Sequence, residues 1–241
     1  MGIAEHWNPA GRTDILVIGN SVVLGGNSYD QDDKLVPQIQ RRLGPACAAW
    51  PVAAGGWNAV NELRFLESNP DIVAGADFFV WEYMAQGFAR AAPWTSDTAF
   101  PTDRPLWATA NVVRKVLAER FPNPPPAAAA PPGNPEDNAA AFAAMLARLS
   151  RRTPPRTAGI VVLYPDRREF ARARQGLEWL PERAWVESLA VANRLRMIDL
   201  AREPRWTEAM YRDAVHPTRE GNALIAEIVA EVVRASLESC K

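Results

Sequence analysis

Ser21, Asp213 and His216 are the residues of this chain whose types and spacing fit one reaction, acyl transfer through an activated hydroxyl. Only two histidines are present, His6 and His216, so a mechanism that needs an imidazole has few choices. His6 falls in an N-terminal segment that is expected to fray. His216 lies in RDAVHPTREGNALIAE, with Asp213 three residues before it. A turn at that spacing brings the carboxylate against one ring nitrogen, which fixes the tautomer and leaves the other nitrogen to accept a proton. That nitrogen needs a hydroxyl or thiol. Ser21, in VIGNSVVLGG, is best placed: the strand-like run Ile15 to Ile18 stops at Gly19, Asn20 and Ser21, with Gly25 and Gly26 allowing tight turns behind.

Each part also has a purely structural reading. A serine after Gly-Asn commonly forms a turn or caps a helix, and Asp213 with His216 can form a capping pair at a final helix. The G-x-S-x-G elbow of the α/β-hydrolases is absent, since Val22 and Val23 follow Ser21. A phosphate-cradling loop at GNSVVLGG would lack the lysine that meets the phosphate.

The elements that have to position these residues follow from hydrophobic patterning. Apolar runs with strand character recur at 14–18, near 47–53, at 77–82, at 159–164 and at 196–199, with helical spacing between them. Such alternation predicts βα units, a five-stranded, mostly parallel sheet and helices on both faces. Lys34 to Leu43 and Asn58 to Leu66 read as helices. The clearest one follows Pro217 and Thr218, where Leu224, Ile225, Ile228, Val229 and Val232 recur every three or four residues. Ser21 then ends the first strand at the carboxyl edge of the sheet, where open α/β sheets bind ligands. Residues 122–135, PNPPPAAAAPPGNP, read as an extended surface loop within a single domain spanning 1–241, because proline at this density opposes both helix and ladder.

Composition excludes other classes. The formal net charge is −1 and no stretch is densely basic, so the footprint of a nucleic-acid binder is missing. The richest apolar run, DIVAGADFFVWEYMA, is broken by Asp77 and Glu82 and is too short and polar for a membrane span. The N-terminus has no unbroken apolar core of a secretory signal, and a trimmed chain would read the same way, so the compartment stays open. Two cysteines, Cys47 and Cys240, make neither a disulfide framework nor a metal cluster, and Cys47 is expected to be a buried thiol.

Taken together, GNS after the first strand and DAVHP before the last helix resemble the first and last blocks of the SGNH (GDSL-type) hydrolase superfamily, from about residue 13 onward. The resemblance implies a flavodoxin-like α/β/α sandwich with Ser21 as nucleophile, His216 as general base and Asp213 as its orienter. It also implies an oxyanion hole built from the backbone of Ser21, a glycine of AAGGWN (Gly56, with Gly55 as the other possibility) and a side-chain amide. The family's third block usually carries an asparagine there; EYMAQG places Gln86 at that position and Gly87 where an aspartate would follow. Asn20 likewise replaces the aspartate of the first block. Gln86 keeps an amide donor but adds one methylene.

The resemblance requires no metal or cofactor and implies a serine esterase that removes short acyl groups, expected to be acetyl, from a carbohydrate. The nine tryptophans agree with a sugar substrate, because indole faces stack on sugar rings. Trp57, Trp81 and Trp94 lie in or beside the expected site loops and, with Asn20, are the candidate substrate contacts. Competing readings are an O-acyltransferase to a sugar hydroxyl, a non-catalytic carbohydrate-binding domain, and a flavodoxin-like nucleotide-binding domain with phosphate at residues 19–26.

Overall fold

The computed structural model describes residues 12–26, 29–85, 134–150 and 159–240, with isolated positions between 88 and 117. Strands β1 (Thr13–Gly19), β2 (Cys47–Ala53), β3 (Phe78–Tyr83), β4 (Gly159–Leu163) and β5 (Leu195–Asp199) form one sheet in the order β2-β1-β3-β4-β5. Every pairing is parallel, with Ile15 opposite both Ala49 and Phe78 and Val80 opposite Ile160. This is the flavodoxin-like strand order, with its switch point between β1 and β3. The expected fold class and strands hold to within a residue or two at each end.

Successive strand residues point to opposite faces, and each face has its own helical layer. Ile15, Val17, Phe78, Val80, Ile160 and Val162 pack beneath α1 (Ser21–Leu24), α2 (Leu35–Leu43) and α8 (Arg219–Ser236). On the other face, Leu16, Ile18, Phe79, Trp81, Val161 and Leu163 meet α3 (Ala59–Ser68), α4 (Pro70–Gly75), α5 (Pro135–Ser150) and α7 (Arg183–Ala192). A shorter helix, α6 (Arg167–Arg174), contributes Phe170 to the first layer. The central strands are buried on both faces, which is why they read as unbroken apolar runs rather than as alternating ones.

Three expectations change. Cys47 is buried as expected but is no free thiol: it is bonded to Cys240, 193 residues away, with a Cα–Cα distance of 5.6 Å. Helix α8 lies against α2, and the short 3₁₀ turn after it brings Cys240 to the start of β2. Pairing at that separation is set by tertiary contact, so two cysteines in a sequence do not reveal it. The proline-rich segment gives up its last residue, because Pro135 opens α5 at a position where a missing N–H costs nothing. The rest of it, through residue 133, lies outside the described residues. So does His6. Finally, Val232 is only partly buried on α8, and Val233 takes the core position.

Candidate active site

The serine arrives on a turn that is built into the core. Gly19 ends β1 where only hydrogen fits: a Cβ there would lie 2.6 Å from Glu82 Oε2 and 2.6 Å from Val23 Cγ2. Asn20 then caps α1, its Oδ1 accepting the N–H of Val22 at 2.8 Å. Ser21 is therefore the first residue of the helix and not its cap, and the hydroxyl is left for other partners. Helix α1 is only one turn long, closed by Gly25 at φ +77°, whose N–H reaches Ser21 O at 2.9 Å.

The histidine arrives on a short loop held by its own backbone. Tyr211 bridges Pro217, and the N–H of Arg212 donates to His216 O at 2.8 Å. Inside that loop Asp213 Oδ1 accepts the N–H groups of Val215 and His216 at 2.9 and 2.8 Å. The same carboxylate faces His216 Nδ1, at 3.0 Å from Oδ1 and 2.9 Å from Oδ2. Outside the loop, the Tyr164 hydroxyl donates to Val215 O at 2.6 Å, the Arg167 N–H donates to Ala214 O at 2.9 Å, and the Tyr29 hydroxyl donates to Pro217 O. The N-cap of α8 is Thr218, whose hydroxyl accepts from Gly221 N, so Asp213 and His216 are not its capping pair.

These two segments meet at the carboxyl edge of the sheet, where His216 Nε2 lies 3.0 Å from Ser21 Oγ. Serine, imidazole and carboxylate thus form one continuous hydrogen-bonded chain. Partial desolvation pushes the Asp213 carboxyl up. The N–H groups of His216 and Val215, the His216 ring and the Arg212 guanidinium outweigh it and hold the group well below the usual carboxylate range. Arg212 donates to Asp213 Oδ2 at 3.2 Å while its guanidinium stacks 4.9 Å above the Tyr29 ring.

The remaining candidates divide. Gly56 lies in the turn after β2 at φ +75°, at the same edge of the sheet, with open space where a Cβ would stand. Trp57 beside it is half-buried and packs on Phe65 at 5.5 Å. Trp81 is corrected: it is fully buried in the opposite layer, its indole N–H donating to Glu62 at 2.9 Å, and it cannot touch a substrate. Asn20 is corrected too, since its amide is engaged by Glu82, Met84 and Val22. Gln86 and Trp94 lie outside the described residues.

Sequence reasoning passed over Tyr29 and Tyr164, which carry no local signal because their partners are distant, and over Arg212, which stands beside Asp213 in the sequence. Glu82 did leave one: a carboxylate inside the strand FFVWEY is an anomaly wherever both faces are buried.

No protein-family model matches the sequence, and no curated protein matches it. Solved structures do. The lipase/acylhydrolase from Enterococcus faecalis matches over 92% of this chain and 96% of its own, with TM-score 0.56 at 14% identity. A carbohydrate acetylesterase from Sinorhizobium meliloti matches over 94% and 100%, with TM-score 0.54 at 12% identity. A member of the lipolytic protein G-D-S-L family from Veillonella parvula matches over 92% and 98%, with TM-score 0.52 at 12% identity. The chain shares the fold of these three proteins along nearly its whole length.

Proposed function

We propose that this protein is an SGNH-type serine esterase, a single catalytic domain that hydrolyses short O-acyl esters, chiefly acetyl, on a carbohydrate. The observation that carries the reading is the 3.0 Å contact between His216 Nε2 and Ser21 Oγ, backed by Asp213 on Nδ1. A serine that merely formed a turn would have no need of an imidazole oriented by a carboxylate.

In the proposed mechanism His216 Nε2 takes the proton of Ser21 as its Oγ attacks the ester carbonyl. Asp213 holds the imidazole in the tautomer with Nδ1 protonated and stabilises the imidazolium that forms. The oxyanion is received by the backbone N–H groups of Ser21 and Gly56, with the Gln86 amide as a third donor. The sugar hydroxyl leaves with the proton from His216; water, deprotonated by His216, then attacks the acyl-enzyme, and the acid departs as Ser21 Oγ takes that proton back. No step calls on a metal or cofactor. An acylated small molecule or glycan is the partner the site takes. No described helix is long and apolar enough to cross a membrane.

The carbohydrate assignment is supported by the partly exposed indole of Trp57 beside the Gly56 turn, against which a sugar ring can stack. The Sinorhizobium meliloti neighbour, a carbohydrate acetylesterase, points the same way. The test is fluorophosphonate labelling with the modified residue located by mass spectrometry, followed by acetate release from acetylated glycans against long-chain esters. Stoichiometric labelling of Ser21, lost in Ser21→Ala and His216→Ala, supports the esterase. A folded protein that resists labelling overturns it in favour of a non-catalytic domain. Acetate appearing on an added sugar instead of in water makes the enzyme an acyltransferase.

A further inference from the structure

Beneath the serine turn lies a carboxyl group that none of the steps above uses. Glu82 is on β3, buried between the strand ends of β1 and β4, and presses against Gly19 closely enough to forbid any larger residue there. Its Oε2 accepts the backbone N–H of Asn20 at 3.3 Å, and its Oε1 accepts the Asn20 side-chain amide at 3.3 Å. That amide also reaches Met84 Sδ at 3.1 Å, while Asn20 Oδ1 holds the Val22 N–H. Asn20 is thus a two-sided clamp, with donors toward the core carboxyl and an acceptor toward the first turn of α1.

The residue types at 20 and 82 are complementary. An aspartate at 20 would cap α1 equally well but would turn an acceptor toward Glu82, placing two carboxylates in one buried space. The asparagine that departs from the Gly-Asp-Ser pattern is therefore the residue this carboxyl requires.

We propose that Glu82 is a positioning residue for the nucleophile: through Asn20 it fixes the first turn of α1 and so aims Ser21 Oγ at His216. The inference rests on the reading of Ser21 as nucleophile. Both contacts put N–H donors on carboxyl oxygens, a pattern that the ionised group completes and the neutral acid breaks at one oxygen. Burial works against ionisation and pushes the group up to about 7, with the Asn20 bonds pulling it part of the way back. The titratable groups that face it are Glu62 of α3, on the other side of the sheet, and Tyr164 just past β4. The clamp therefore tightens as pH rises through about 7.

The test uses Asn20→Asp, Glu82→Gln and the double variant in the full chain, reading the rate of Ser21 labelling by a fluorophosphonate together with the melting temperature. Asn20→Asp is expected to slow labelling on the order of 10²-fold, the cost of misplacing a reacting atom by about an ångström. In the double variant the introduced amide donates to the introduced carboxylate and its oxygen still accepts the backbone N–H, so labelling returns to within about tenfold of wild type. Glu82→Gln alone keeps one bond, loses a few-fold in rate and loses the pH step near 7. A double variant no faster than Asn20→Asp overturns the proposal, and so does a Glu82→Gln pH profile identical to wild type. Rate losses that merely follow melting temperature also overturn it, because they mark a structural role. If Asn20→Asp does not fold, the Glu82→Gln pH profile decides. Wild-type protein that is not labelled at Ser21 defeats the esterase reading itself, a result distinct from labelled wild type without coupling between positions 20 and 82.

Discussion

The two halves of the site are held in different ways. Ser21 stands on a turn anchored in the core, where Gly19, Asn20 and Glu82 are buried and the last two share hydrogen bonds in a low dielectric. His216 and Asp213 stand on a surface loop with side chains 32% and 44% exposed, held by backbone N–H groups close in sequence. A buried polar network is unforgiving, since a partner lost there leaves a group that water cannot satisfy. An exposed one tolerates change in stability while remaining sensitive in chemistry. Substitutions at the buried anchors Gly19 and Asn20 should therefore cost stability in addition to the rate lost by misaiming Ser21, whereas those at the reacting groups should cost rate alone.

The largest separation is expected at the chemical groups. Ser21→Ala and His216→Ala should each lower turnover roughly 10⁴-fold or more, and Asp213→Asn almost as much, with little change in melting temperature. Unfolding that accompanied Asp213→Asn would show that the loop depends on its carboxylate and would erase the contrast. Because hydrogen bonds hold Asp213 well below its ordinary range, it stays ionised through mildly acid pH. A pH profile of Asp213→Asn against wild type checks this, since the acid limb of activity near neutrality must have another source.

Next in size is the bond between Cys47 and Cys240, which ties the far end of α8 to the start of β2. Reduction should cost about 2–4 kcal/mol of stability by removing a constraint on the unfolded chain. For a chain of this size that lowers the melting temperature by roughly 5–15 °C. Calorimetry with and without reductant measures it, and turnover at 25 °C should change far less because neither half of the site contains the bond.

Glu82 gives a smaller and pH-dependent effect. Its folded value, about 7, lies above the ordinary 4.5, so the folded state binds the proton more tightly than the unfolded one. The stability this contributes is complete below about 4.5 and is lost as pH rises through about 7. Denaturant titrations should thus show Glu82→Gln gaining on wild type across that window, by about 1.4 kcal/mol for each tenfold change in proton affinity removed. A difference that is flat with pH would mean that the core beneath the serine is wetter than its burial implies. The smallest change belongs to Trp57→Ala, expected to raise KM for acetylated glycans by roughly threefold to tenfold through lost stacking, while small aryl esters are unaffected.

Much of the framework was legible because it is written in local terms. Five apolar runs of strand length, separated by helical spacing, specify a doubly wound sheet, and their ends shift by only a residue or two. The DAVHP loop is legible for the same reason: Asp213 folds back on backbone N–H groups two and three residues away. Other readings failed where identity and environment part company. Trp81 sits one residue from Glu82 on the same strand, yet the pleat sends it into the opposite layer. Asn20 reads as a substrate contact until β3 supplies the carboxyl that engages it.

Sequence alone determined the strand pattern, the final helix and the three groups of the proposed triad, because hydrophobic period and turn chemistry act over a few residues. Tertiary structure alone decided that Ser21 meets His216 across 195 positions, that Asn20 answers to Glu82 across 62, and that Cys47 finds Cys240 across 193. Each of those pairs is brought together by the packing of whole elements, a geometry that no local stretch of chain encodes.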